Sequence, residues 1–156
     1  MKRCVILCAV ICASLCAFCS CSDKPSSSKP VTLSEKFTVT AQFTNGDLSA
    51  CADMTRIPEG WEITMTAPER VEGLTFELTE MECTARFSEL TYPFATETMP
   101  DSSPLLLTAR ALDKCVLKSN TGTVSGQNYS LTCTDGKPDT LQIGSMTVTL
   151  TDYKPR

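Results

Sequence analysis

The sequence lacks histidine altogether. Histidine is the commonest metal ligand and the usual general base near neutral pH, so its absence excludes Ser-His-Asp and Cys-His catalytic sites. A Gly-x-Ser-x-Gly elbow and a glycine-rich phosphate loop are missing as well. The sequence therefore predicts a protein that is not an enzyme and that needs neither a cofactor nor a metal.

Carboxylates are the remaining candidates for chemistry. A pair of glutamates can hydrolyse sugars, and seven lie between residues 62 and 89. They are Glu62, Glu69, Glu72, Glu77, Glu80, Glu82 and Glu89. Several alternate with apolar residues, which favours the solvated face of a sheet. Asp135 and Asp139 match no EF-hand spacing, which favours an ordinary turn over a calcium site.

A basic patch is also missing. Residues 22–156 carry 12 basic and 18 acidic side chains, a net charge of −6. Proteins bind nucleic acid largely by neutralising its phosphates, so this domain is not expected to bind nucleic acid. The same negative charge gives its surface no attraction to anionic lipids.

The only long apolar run lies at the N-terminus and is short for a membrane span. Lys2 and Arg3 precede 16 residues, Cys4 to Cys19, without a charge. As a helix this run is roughly 24 Å long, whereas the hydrocarbon core is ~30 Å thick. The layout is that of a secretory signal helix, and we assign residues 1–20 to it.

The end of this segment resembles a bacterial lipobox. It reads Phe18-Cys19-Ser20-Cys21. The resemblance implies that Cys21 becomes the first mature residue and carries a diacylglycerol on its thiol, with fatty acyl groups such as palmitate. Phe18 and Cys19 depart from the usual pattern, so Cys19 is a competing acceptor, and an ordinary signal cut near Ser20 is the alternative. The expected location is the extracytoplasmic face of a bacterial membrane in the cell envelope.

The mature chain divides into a tether and one domain. Residues 21–35 are rich in serine and proline and predict a disordered, extended tether. Residues 36–156 are long enough to bury a core of their own.

Four cysteines follow Cys21, and no Cys-x-x-Cys motif links them. They are Cys51, Cys83, Cys115 and Cys133. In an exported protein they allow two disulfides in three connectivities. Cys83 and Cys133 each fall in phase with the apolar residues of their strands, so they are the preferred pair. The alternative is that cysteine serves as an apolar filler, as six cysteines in residues 1–21 indicate.

The domain is predicted to be mainly β. Apolar and polar residues alternate in stretches such as Phe37–Phe43, Trp61–Ala67 and Met146–Leu150. This pattern is typical of antiparallel strands with one covered face and one solvated face. Asn45-Gly46 predicts a two-residue hairpin loop.

One stretch has helical periodicity instead. Ser103-Pro104 has the form of an N-cap followed by proline at the first helical position. Leu105, Ala109, Leu112 and Val116 then share one stripe. The pattern predicts a single helix over residues 104–118, ended by Asn120 and Gly122.

This order of elements resembles the LolA-like lipoprotein carriers. The resemblance rests on the Asn45-Gly46 hairpin, the Pro68–Phe76 segment, the helix near Leu105–Val116 and the closing strands over Leu141–Tyr153. It implies an α+β half-barrel, in which a strongly curved antiparallel sheet clasps the helix around an apolar cavity. A lipid-anchored chain is expected to be stationary rather than a shuttle.

The expected function follows from that cavity. The candidate lining residues are in phase with the strands: Trp61, Ile63, Met65, Phe76, Phe87 and Tyr92. The leading hypothesis is a membrane-anchored, non-catalytic lipoprotein that binds an apolar ligand or the acyl chains of another lipoprotein. The alternative is a structural or protein-interaction module of the envelope with a filled β core, because alternation alone does not distinguish a filled face from a hollow one.

Overall fold

The computed structural model describes residues 32–156. The predicted signal, Cys21 and most of the predicted tether lie outside the described residues. Two residues assigned to the tether belong to the folded part. Leu33 is only 2% exposed and joins the core, and the Ser34 amide donates to the Tyr153 hydroxyl at 3.0 Å.

Within residues 32–156, ten antiparallel strands form one sheet. Their bounds are β1 Phe37–Asn45, β2 Leu48–Ile57, β3 Gly60–Ala67, β4 Thr75–Leu78, β5 Glu82–Phe87, β6 Leu90–Ala95, β7 Thr121–Val124, β8 Gln127–Thr134, β9 Lys137–Ile143 and β10 Met146–Pro155. Their spatial order is β6-β5-β4-β3-β2-β1-β10-β9-β8-β7. The first and last strands in sequence pair with each other, with Phe37 opposite Pro155 and Thr44 opposite Thr147. The two halves of the chain therefore meet at the centre of the sheet.

The sheet is strongly curved around a single described helix, α1, at Pro104–Val116. The α1 residue Asp113 bonds Trp61 of β3, while the same helix packs against β7 at the edge of the sheet. β3 and β7 are six places apart in the strand order, which is roughly 29 Å in a flat sheet. A helix only ~10 Å wide contacts both because the sheet wraps around it. The predicted fold class, a curved antiparallel sheet clasping one helix, is confirmed.

The helix begins where the sequence predicts but ends differently. Pro104 occupies the first helical turn, and the Leu107 amide donates to the Ser103 carbonyl at 2.9 Å. At the other end the Ser119 amide donates to the Lys114 carbonyl, and Lys118 adopts φ +68. This is a Schellman motif with lysine in the left-handed position. It ends the helix before Asn120 and Gly122, the predicted stop.

The hairpin between β1 and β2 forms with a shifted loop. Asn45 pairs with Leu48, so the loop residues are Gly46 and Asp47 rather than Asn45 and Gly46. Gly46 takes φ +60 in the first loop position, which is the position of glycine in a type II′ turn. The shift keeps Phe43 opposite Ala50, with both side chains on the core side.

The space between α1 and the middle of the sheet is filled. Residues at alternate positions of β1 to β3 and of β8 to β10 face the helix and are buried there. The largest completely buried side chains include Phe37, Val39, Met54, Ile63, Leu112, Leu141, Ile143 and Val148. Close packing of this kind leaves no central hollow for a ligand.

Candidate functional site

Openings occur at the two ends of the curved sheet. We call the end with the Gly46–Asp47 loop and the start of α1 the hairpin end. The opposite end, where β1 begins at Phe37 and β10 finishes at Pro155, is the terminal end. An apolar groove lies at the hairpin end, and a polar pocket lies at the terminal end.

The apolar groove has a volume of about 350 Å³. Its lining consists of Phe43, Asn45, Leu48, Ser49, Ala50, Met65, Pro68, Arg70, Val71, Ser103, Pro104, Leu105 and Met146. Arg70 is the only charged residue among them. Small-ligand sites in proteins typically measure 300–1,000 Å³ and are mostly apolar with a few placed polar groups. The groove lies at the small end of that range, which suits one apolar chain.

The groove exists because the covered face of the sheet extends past the start of α1. Leu48 and Ala50 continue the core-facing side of β2 beyond the helix, and Leu48 is 72% exposed. Ala50 is small and leaves space opposite Leu105 at the first turn of α1. The lining therefore runs from the buried Phe43, Met65 and Met146 to the exposed Leu48.

The connection between β3 and β4 forms one wall of the groove. It contains a short 3-10 turn at Glu69–Val71. Backbone bonds hold it against β3: the Met65 amide donates to the Leu74 carbonyl at 2.8 Å, and the Gly73 amide donates to the Met65 carbonyl at 2.9 Å. These bonds fix Val71 in the wall and Arg70 at the rim.

A second apolar surface lies beside the groove, on the core-facing side of β4 to β6. We call it the outer concave face. It comprises Phe76, Ala85, Phe87, Leu90, Tyr92 and Phe94, which the strand register places on one side. Exposure grows toward the sheet edge, from the partly buried Phe76 to Leu90 at 74% and Tyr92 at 70%. α1 leaves this part of β4 to β6 open to solvent, whereas Leu78 and Cys83 on the same side are buried.

The terminal end carries a polar pocket of about 460 Å³. Arg56, Glu59, Glu80, Arg110 and Asp113 line it together with apolar neighbours. The Asp113 carboxylate accepts hydrogen bonds from Arg56 and from the indole of Trp61. The bond between Arg56 and Asp113 joins α1 to β2 across this pocket, and its charged lining does not suit an apolar chain.

The six predicted lining residues do not surround one cavity. Trp61 and Ile63 are buried in the packed core, and Trp61 borders the polar pocket. Met65 alone lines the apolar groove. Phe76 is partly buried on the outer concave face, where Phe87 and Tyr92 are exposed. The alternation placed all six on the correct side of the sheet, but the helix covers only part of that side.

Sequence reasoning missed most of the groove. Leu48, Ala50, Val71 and Met146 line it, yet none was among the candidates. Their shared signal is their position within a few residues of a turn at the hairpin end. This position predicts an uncovered side chain only when the length of α1 relative to the sheet is known.

The preferred disulfide between Cys83 and Cys133 does not form. All four cysteines of the described residues are free thiols. Cys83 lies in β5 and Cys133 in β8, with six strands between them. Both do contact the core, as predicted, but opposite arms of the curved sheet carry them. Burial raises the pKa of the Cys83 thiol.

Cys115 and Cys133 instead occupy the same part of the molecule. Burial, followed by the nearby charge of Cys133, raises the pKa of the Cys115 thiol to about 12. Burial is also the main reason why the pKa of Cys133 is raised, with Asp139 adding to it. Both groups are protonated thiols near neutral pH.

Two further features of the described residues bear on function. Within residues 32–156, no three acidic or cysteine side chains converge in the way that a metal ion requires. Over the same residues, the structure has no helix with the length and apolar character needed to cross a membrane.

Comparison with known proteins gives a likeness in structure but none in sequence. No protein-family model matches the chain, and no curated protein matches its sequence. A crystal structure of a LolA superfamily protein from Nitrosomonas europaea aligns with a TM-score of 0.43 and 9% sequence identity. The alignment covers 82% of this chain and 90% of that one.

Proposed function

We propose that the chain is a non-catalytic binding protein, tethered to the bacterial envelope membrane by a lipid on Cys21, whose groove holds one apolar chain. The observation that carries this proposal is the groove at the hairpin end, with its apolar lining and volume of about 350 Å³. The occupant is a single-chain amphiphile or one acyl chain of another lipoprotein. Its polar head lies at the rim, beside Arg70.

The position of the groove supports delivery of the occupant by a partner. The first described residues lie at the terminal end of the domain. There Leu33 is buried, and the Arg56 side chain donates to the Glu35 carbonyl. The groove lies at the other end of β1, whose nine residues span about 30 Å. An anchor at Cys21 therefore attaches on the side away from the groove. The attachment point and the groove then lie at opposite ends of the domain, so a partner can reach the groove.

A matched pair of substitutions tests the groove. Ala50→Phe places a ring inside it, whereas Ala85→Phe adds the same ring to the outer concave face. Calorimetric titration with decanoate should show saturable one-to-one binding for the parent protein and for Ala85→Phe. Ala50→Phe should bind at least about tenfold more weakly. Equal affinity for both variants, or no binding by the parent, contradicts the proposal.

A protein-docking role is the second candidate, and the outer concave face is the observation that favours it. Leu90 and Tyr92 stand 74% and 70% exposed on an apolar surface. Exposed apolar patches mark interaction sites, and tyrosine is enriched in protein interfaces. Cross-linking at the membrane tests this role. If it holds, Tyr92→Ala reduces recovery of one defined partner while leaving decanoate binding unchanged. Recovery equal to that of the parent protein contradicts it.

A further inference from the structure

Two hydrogen bonds link the segment that follows α1 to β8. The Leu131 amide donates to the Asn120 carbonyl at 2.7 Å. The Tyr129 hydroxyl donates to the Ser119 carbonyl at 2.8 Å. Both bonds link the residues that follow the helix to the strand beneath it, so the last turn of α1 is held near β8.

Each of these two elements contributes one cysteine to the same side of the sheet. Cys115 lies in the last turn of α1 and is completely buried. Cys133 follows Tyr129 and Leu131 at alternate positions of β8 and packs against the core. α1 and β8 both run from the hairpin end toward the terminal end, so each cysteine lies near the end of its element. The electrostatic effect of Cys133 on Cys115 reflects this closeness.

We propose that Cys115 and Cys133 form a disulfide when the protein meets an oxidising compartment, and that this bond fastens α1 to β8. Cys51 and Cys83 remain thiols. Cys51 faces the solvated side of β2, and Cys83 lies on the opposite arm of the sheet. The proposal rests on export of the chain, and it pairs Cys133 with Cys115 in place of Cys83.

The oxidant is a protein of the dithiol–disulfide exchange class. Cys133 is the more accessible of the two thiols, so it loses its proton and attacks one sulfur of the oxidant's disulfide. This step forms a mixed disulfide and releases one thiolate of the oxidant. Cys115 then loses its proton, attacks the Cys133 sulfur and releases the second thiolate. Two protons leave the protein, and two electrons reduce the oxidant to its dithiol.

The bond matters for the groove because α1 runs from the edge of the groove toward the terminal end. Leu105 in its first turn lines the groove, while Cys115 lies in its last turn. A covalent link at the last turn restricts how far the helix can move away from the sheet. The loop between residues 115 and 133 also loses freedom in the unfolded chain.

Peptide mass mapping of the full chain tests the proposal. The protein is incubated with reduced and oxidised glutathione at a ratio typical of secretory compartments, free thiols are alkylated, and the protein is digested without reductant. We expect the peptide with Cys115 to be joined to the peptide with Cys133, while Cys51 and Cys83 are alkylated. Alkylation of both Cys115 and Cys133, or a bond from either to another cysteine, overturns the proposal.

Thermal unfolding supplies a second readout. Reduction should lower the midpoint of the parent protein by roughly 10 °C. Cys133→Ser replaces a partly exposed side chain, so the variant should fold, and its midpoint should not change on reduction. Cys51→Ser is the matched control and should retain the full response. A reduction-dependent shift that persists in Cys133→Ser contradicts the assignment.

Discussion

The Asp113 carboxylate accepts the indole N–H of Trp61, with 3.2 Å between Nε1 and each carboxylate oxygen. The same carboxylate accepts from Nε of Arg56 at 2.8 Å. Asp113 belongs to α1, while its two donors belong to β2 and β3. One side chain therefore joins the helix to two strands of the sheet at the terminal end.

Replacing Asp113 with alanine should destabilise the domain by about 1–2 kcal/mol. Trp61 is only 3% exposed, so its N–H loses its charged partner, and the polar pocket that it borders supplies only water in exchange. Bonds to charged groups contribute roughly 1.5–3 kcal/mol, and the 42% exposure of the Asp113 side chain reduces that figure. Urea unfolding measures the change.

Asp101→Ala is the control for this substitution. Asp101 also pairs with an arginine, Arg110, at 3.5 Å, but its side chain is 84% exposed. Exposed ion pairs contribute little to stability, so the free energy of unfolding should fall by less than about 0.5 kcal/mol. Equal losses in the free energy of unfolding for Asp113→Ala and Asp101→Ala would show that the bond to Trp61 contributes no more than an exposed ion pair.

Gly60→Ala should be among the most damaging single changes in the chain. Gly60 has φ +150, and a Cβ there would lie 2.0 Å from the Leu78 carbonyl oxygen. That oxygen belongs to the backbone of β4, so no side chain can move aside. We expect a loss of about 3 kcal/mol or more. Gly46→Ala, at φ +60 with open space around it, should cost only about 1 kcal/mol.

The reduced protein should lose stability as the pH rises above 9. The pKa of the Cys115 thiol is raised from 9.0 to about 12. Between these values the unfolded chain releases the proton while the folded chain keeps it, so unfolding becomes more favourable as the pH rises. The slope from this one thiol is about 1.4 kcal/mol per pH unit. Urea unfolding between pH 9 and 11 should show a shallower decline for Cys115→Ala, and parallel declines would refute the attribution.

Cys21→Ala tests the proposed anchor. Cell fractionation should recover the parent protein with membranes, because buried acyl chains hold it there at ~0.8 kcal/mol per methylene group. The variant should lose this association. Cys19→Ala is the matched control and should remain membrane-bound. An unmodified thiol on Cys21 in the mature parent protein, seen by mass spectrometry, would remove the anchor from this account.

Sequence patterns were sufficient for the fold because they report local periodicity. The alternation over Trp61–Ala67 and the cap at Ser103-Pro104 identified the strand and the helix that the structure contains. Loop details depend on tertiary context. Pairing of Phe43 with Ala50 moved the first hairpin loop by one residue, and a left-handed Lys118 ended α1 early.

The candidate site was harder to predict, because the tertiary structure decides which part of a sheet face the helix covers. Trp61 and Tyr92 share the same phase, yet one is 3% exposed and the other 70%. The difference arises because α1 lies over β3 and not over β6. The partner of Cys133 likewise depends on how far the sheet curves, which separates it from Cys83 and brings the end of α1 close.

Methionine methyl groups provide the most direct test of the groove. Met65 and Met146 line it, whereas Met54 is buried in the core and Met81 is 82% exposed outside it. In full-length protein labelled with ¹³C at the methionine methyls, titration with decanoate should shift the Met65 and Met146 signals together and saturably. Met54 and Met81 should not move. Unchanged Met65 and Met146 signals, or equal shifts at Met81, would contradict binding of an apolar chain in the groove.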